Sequence, residues 1–89
     1  MNKYFVEFLG TLILVFVVLS TGNWLAIGAA LAVIALVLGP ISGGAFNPAV
    51  AIVYLANGTI PSSDLIPYII AEIAGGLAAY EIVKLTIKK

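Results

Sequence analysis

The sequence predicts an all-α membrane protein with three transmembrane helices and one re-entrant half-helix. Three observations lead there. Of the 89 residues, 63% are hydrophobic, against roughly 45 to 50% in soluble domains. No charged residue stands between Glu7 and Asp64, and a soluble domain could not clothe its surface on those terms. The apolar sequence is broken by Ser42–Val50, "SGGAFNPAV", which holds what a helix interior avoids: paired glycines, a bare amide and a proline.

The inventory excludes several kinds of chemistry. Net charge zero offers no basic face, so nucleic acid is not an expected partner. The chain has no cysteine and no histidine, which removes disulfides, the usual zinc sites and any histidine-based triad. Neither catalysis, a cofactor nor a metal site is expected.

The first span reads from Tyr4 to Ser20. Lys3 ahead of an apolar run has the outline of a signal peptide, but Glu7 in the leader and a poor small-x-small site argue for a retained spanning helix. Thr21-Gly22-Asn23 forms a turn, and Trp24 to Gly39 forms the second span, stopped by Pro40. Both are near the lower limit of roughly 17 to 25 residues for crossing hydrocarbon. Ser62-Ser63-Asp64 is a helix-start cluster with Pro67 in the first turn, so the third span covers about 65–86. Tyr4, Trp24 and Tyr80 fall near span ends, as interfacial aromatics do.

The loop and half-helix take about 41–56. Asn47 suits an N-cap, Pro48 suits the first helical position because its missing N–H is an orphan there, and Asn57-Gly58 makes a C-terminal stop. Helix from Pro48 to about Ala56 rises roughly 13 Å, half a bilayer. Its residues Ala49-Val50-Ala51-Ile52-Val53 show no polar face, so a helix lying on the membrane surface is disfavoured. The N-terminus is expected near the midplane. Irregular backbone is tolerated at that depth where it lines a water-filled cavity. The carbonyls of Gly43, Gly44, Ala45 and Phe46 would accept hydrogen bonds from a permeant and the Asn47 amide would donate one. Alternating acceptors and donors suit small neutral molecules.

"SGGAFNPAV" resembles the Asn-Pro-Ala signature loop of the aquaporin and aquaglyceroporin (major intrinsic protein) family. "EFLGTLILVF" looks like that family's first helix and "PYIIAEIAGGLAAY" like the helix after the loop. The resemblance implies a fold of two inverted repeats, each with three spans and one half-helix, and residues 1–89 hold the parts of one repeat. It makes Asn47 the donor to the central permeant, with Pro48 and Ala49 capping the tip. It places Val50 where the second repeat often has a filter arginine, Ile27 where the first repeat often has an aromatic, and Ala35 near a filter histidine. None of those identities is present, and Ala45 stands where many first repeats have histidine.

The resemblance also makes Glu7 a buried carboxylate that accepts backbone N–H groups of the loop. The residues alone leave open a pairing with Lys3, four positions away, or snorkelling to the interface. Glu72 stands where the family more often has glutamine; loop support, a place at the pore edge and snorkelling all remain open. Gly28, Ala32, Ala35 and Gly39 form one small-residue stripe, and Ala71, Gly75 and Ala79 another; such stripes let membrane helices approach closely.

The expected function is a passive channel for water or small neutral solutes such as glycerol. An uncovered half-helix tip would be costly in lipid, so the expected minimal pore is an antiparallel homodimer, with four such dimers if the family's tetramer of pores is retained. Two alternatives stand beside it. "EFLGT" with an early membrane glutamate also resembles the first helix of small proton-coupled multidrug-efflux proteins, and an aquaporin-like subunit could keep the fold without conducting.

Overall fold

Each boundary in the fold has a local cause in the sequence. A computed structural model describes residues 1–87. Its helices are α1 (Lys3–Thr21), α2 (Trp24–Ser42), α3 (Pro48–Ala56) and α4 (Ser62–Thr86). Asn2 caps α1 by accepting the N–H groups of Tyr4 at 2.7 Å and Phe5 at 3.2 Å. Gly22 then ends α1 in the left-handed region, and Asn23 starts α2 by accepting from Leu25 and Ala26, each at 2.9 Å. These caps satisfy donors that helix ends otherwise leave unpaired. Helices α1, α2 and α4 are long and apolar enough to cross a membrane.

Two ends differ from the sequence reading. Helix α2 does not stop at Pro40 but runs on to Ser42. A proline inside a helix removes one hydrogen bond, and here the break falls at Gly43, in the left-handed region with its N–H on the Gly39 carbonyl at 2.7 Å. Helix α4 starts at Ser62, with Pro61 as its N-cap and no side-chain capping bond. Asp64 does not cap because its carboxylate is engaged elsewhere, taking the Lys3 ammonium at 2.7 Å and the Tyr4 hydroxyl at 2.8 Å.

That cluster ties the starts of α1 and α4 together. Farther along, Tyr4 meets Tyr68 edge to face at 5.9 Å and Gly75 lies over the Phe8 carbonyl, so the two helices run parallel. Helix α2 packs on α1 and α3 packs on α4; among the described residues α2 and α4 are joined by a side-chain hydrogen bond at the last residue of α2 rather than by helix-on-helix packing. The short helix α3 ends where Asn57-Gly58 was expected to stop it: the Asn57 side chain accepts the Thr59 N–H and hydroxyl, and Gly58 is left-handed.

The two small-residue stripes have different fates. On α4, Gly75 and Ala79 are buried against α1, and a Cβ added at Gly75 would lie 2.4 Å from the Phe8 carbonyl oxygen. On α2, Gly28, Ala32 and Ala35 are exposed, and a Cβ at Gly28 or Gly39 would meet nothing within 4 Å. The α2 stripe is therefore not used within the chain. Lys88 and Lys89 lie outside the described residues.

Backbone cannot yield to a new methyl as a side chain can. Gly75→Ala is expected to destabilise the α1–α4 pair by about 1 to 3 kcal/mol, the range for overpacking. Gly28→Ala in the same helical register of α2 is expected to leave stability unchanged. Thermal unfolding of both variants in detergent checks this, and equal melting temperatures would contradict the packing.

Candidate functional site

The loop between α2 and α3 has an unusual backbone because it reverses direction in very few residues. Gly43 at φ 91° and Gly44 at φ 71° are left-handed, which glycine permits at no steric cost. Phe46 is left-handed too, at φ 51°, a conformation that costs a side-chain-bearing residue of order 1 to 3 kcal/mol. Burial offsets it. The Phe46 ring is 2% exposed and packs with Val6, Ile34 and Leu38. It lies across Gly10, where a Cβ would come within 2.2 Å of the ring.

Polar groups on two helices hold the loop. Glu7 on α1 is fully buried; its Oε1 accepts the Phe46 N–H at 2.8 Å and its Oε2 accepts the Ser42 hydroxyl at 2.7 Å. The Ser42 oxygen in turn accepts the Gly44 N–H at 3.2 Å. The Thr11 hydroxyl lies 2.7 Å from the Glu7 carbonyl and 3.3 Å from that of Phe46, and donates between them. From α4, the Tyr68 hydroxyl donates to the Ser42 carbonyl at 2.7 Å. Of the alternatives for Glu7, pairing with Lys3 is absent because Lys3 is committed to Asp64.

Other groups are left free. Asn47 caps α3, its Oδ1 accepting the Ala49 N–H at 2.7 Å, and the residue is exposed. Among the described residues its amide nitrogen donates to nothing, and the carbonyls of Gly43, Gly44 and Ala45 receive no donor. Pro48 opens α3 half-buried, and Ala49 is exposed. One short segment thus offers acceptors on the loop side and a donor at the helix tip.

The structure does not bring all the expected filter positions together. Val50 packs beside Ala45, Ala51, Ile60 and Tyr68. Ile27 is half-buried and Ala35 exposed, both on α2, which does not pack on α3 among the described residues. Glu72 is 1% exposed, so it does not snorkel, but both of its oxygens lack a hydrogen-bond partner. Sequence reasoning missed Gly10, Thr11, Ser42 and Tyr68. A helical signal existed for two of them: Thr11 is one turn after Glu7, and Tyr68 one turn before Glu72 on the face that carries Gly75 and Ala79.

Comparison with known proteins agrees with this geometry. The sequence pattern described as Major intrinsic protein matches residues 20–89. Glycerol uptake facilitator protein-like 6 of Lactiplantibacillus plantarum is 48% identical over 94% of this chain and 43% of its own length. Aquaglyceroporin AqpS of Rhizobium meliloti is 45% identical over 63% of the chain and 24% of its own length. Aquaporin Z of Brucella melitensis is 38% identical over 89% of the chain and 41% of its own length. The chain therefore spans less than half the length of these curated relatives. No solved structure matches it. A family pattern that covers most of the chain, and relatives that align along nearly all of it, meet here with three apolar helices and a half-helix: the chain is an integral membrane protein and belongs to the major intrinsic protein family, with the fold of one of its repeats.

Proposed function

We propose that the chain forms a passive channel for water and small neutral solutes such as glycerol, with no catalytic step. The observation that carries this is the pairing of free loop carbonyls at Gly43, Gly44 and Ala45 with the free Asn47 amide at the tip of α3. A neutral molecule that both donates and accepts can exchange its water hydrogen bonds for these, whereas an ion would lose hydration without compensating charge. The relatives named for glycerol and for water point to the same permeants. Family membership sets aside the efflux alternative.

Selectivity follows from the apolar residues at the expected filter positions. Val50, the expected filter position that lies beside the loop, supplies no cation, and Ile27 and Ala35 on α2 supply no aromatic rim, so the constriction is expected to be apolar and to pass small solutes besides water. In proteoliposome shrinkage assays, Asn47→Leu is expected to abolish most flux while the protein still inserts. Val50→Arg is expected to reduce glycerol flux more than water flux. Full flux through a folded Asn47→Leu protein would remove Asn47 from the pathway, and exclusion of glycerol by the parent would contradict the open filter.

The pore needs a second repeat. Asn47 and Ala49 at the tip, together with the small-residue stripe of α2, are exposed in a single copy, and unpaired polar backbone facing lipid costs several kcal/mol per group. A second, oppositely inserted copy would cover the tip and bring two half-helices end to end. The charge pattern permits both orientations: Lys3 lies at one end, Lys84, Lys88 and Lys89 at the other, and the short loops carry no Lys or Arg. Four such dimers would form a tetramer of pores. Labelling a C-terminal tag from each side of the membrane in a conducting preparation is expected to give reaction from both sides. Labelling from one side only would overturn the antiparallel homodimer.

A further inference from the structure

Among the described residues, Glu72 is the one buried polar side chain left without a hydrogen-bond partner. It is 1% exposed and neither carboxyl oxygen has a hydrogen-bond partner among the described residues. The register that sets Tyr4 against Tyr68 and Phe8 against Gly75 puts Glu7 opposite Glu72 across the α1–α4 contact, and the Asn47 N–H follows directly on the Phe46 N–H that Glu7 holds. The Asn47 N–H donates to nothing among the described residues. A carboxylate at this depth without donors or a cation is costly. Beside a second carboxylate the cost rises further, because two adjacent negative charges in a dry site cannot both persist.

The groups packed around Glu72 supply no positive charge. Helix α1 presents Glu7 and the loop presents the Asn47 N–H, while Tyr54, the titratable side chain of α3, packs against the cluster of Ala45, Ala51, Ile60 and Tyr68 and brings no positive charge. On α4 itself, Tyr68 is one turn earlier with its hydroxyl on the Ser42 carbonyl. Lys3 is bound to Asp64, two turns before Glu72, and Lys84 pairs with Glu81 at the far end of α4. Among the described residues α2 reaches α4 at Ser42, whose carbonyl takes the Tyr68 hydroxyl and which carries no titratable group. Both Glu7 oxygens already accept hydrogen bonds, from the Phe46 N–H and the Ser42 hydroxyl, whereas both Glu72 oxygens stand without a partner.

We propose that Glu7 and Glu72 share one proton, carried by Glu72, and that this carboxylic acid–carboxylate pair positions the signature loop. The protonated oxygen of Glu72 donates to Glu7, and its other oxygen remains an acceptor toward the free Asn47 N–H. Glu72 is thus a positioning residue that acts on Asn47 through the backbone. The docked loop keeps a proton that two solvated glutamates release above about pH 4 to 5, so docking is favoured most in acid and weakens progressively as pH rises until that proton is lost. Glutamine at position 72 supplies the same donor and acceptor with no proton to lose.

The test uses the full chain in lipid. Infrared spectra at neutral pH are expected to show the carbonyl stretch of a buried protonated carboxyl group, absent in Glu72→Gln and lost from the parent on alkaline titration. From mildly acid pH up to the pH at which the band is lost, the parent's melting temperature is expected to fall by several degrees while that of Glu72→Gln stays flat. No such band in the parent, a band that survives Glu72→Gln, or the same pH dependence in both proteins would overturn the proposal. So would stabilisation by sodium over a large organic cation without the band, which would assign the charge balance to a metal ion. Flux measured alongside separates the two readings: failure of both proteins to conduct counts against the channel, while band and melting curve report the shared proton without it.

Discussion

The hydrogen bond from the Phe46 N–H to the Glu7 carboxylate, at 2.8 Å, is the constraint on which the rest depends. A chain that reverses direction inside a bilayer leaves backbone groups that no lipid can satisfy. Helix geometry does not supply the partner at Phe46: among the described residues no backbone carbonyl takes its N–H. A carboxylate one turn into α1 does so, and hydrogen bonds to a charged acceptor contribute roughly 1.5 to 3 kcal/mol each. Once Glu7 is fixed, Ser42, Gly44 and Thr11 join the same network, and Phe46 seats its ring on Gly10. The left-handed strain of Phe46 is offset by that seat and that bond together.

Helix packing serves this arrangement. Parallel alignment of α1 and α4, held by Lys3, Tyr4 and Asp64 at one end and by the close approach at Gly75, puts Glu7, Tyr68 and Glu72 around one loop. Helix α3 then rests on α4 with its capped tip directed outward. What the fold satisfies internally and what it leaves free are two sides of one design: the N–H groups of Gly44 and Phe46 are taken, while the carbonyls of Gly43, Gly44 and Ala45 and the Asn47 amide stay available.

Local features were legible in the sequence because their causes are local. The half-helix from Pro48 to Ala56, the Asn47 cap and the Asn57-Gly58 stop each follow from the conformational preference of one or two residues, and three spans follow from hydropathy. Pro40 misled because a proline weakens a helix without ending it, and the true stop is the left-handed Gly43. Ser62, Ser63 and Asp64 look like a cap, but Asp64 is drawn into a tertiary ion pair with a residue 61 positions away. Gly10 and Ser42 gave no comparable signal, since what defines them is a partner 35 or 36 positions distant. Filter positions Ile27, Ala35 and Val50 came from resemblance alone, and only Val50 lies beside the loop.

The most direct test of the central bond is amide hydrogen exchange of the protein in lipid, resolved at Phe46 by solid-state NMR, for the parent and for Glu7→Leu. Loss of a charged acceptor predicts exchange at Phe46 faster by roughly tenfold or more, with Gly44 following as Ser42 is released and amides in the middle of α1 and α2 unchanged. A Phe46 amide that stays fully protected in Glu7→Leu would contradict the account, because the loop would then be held by something other than Glu7.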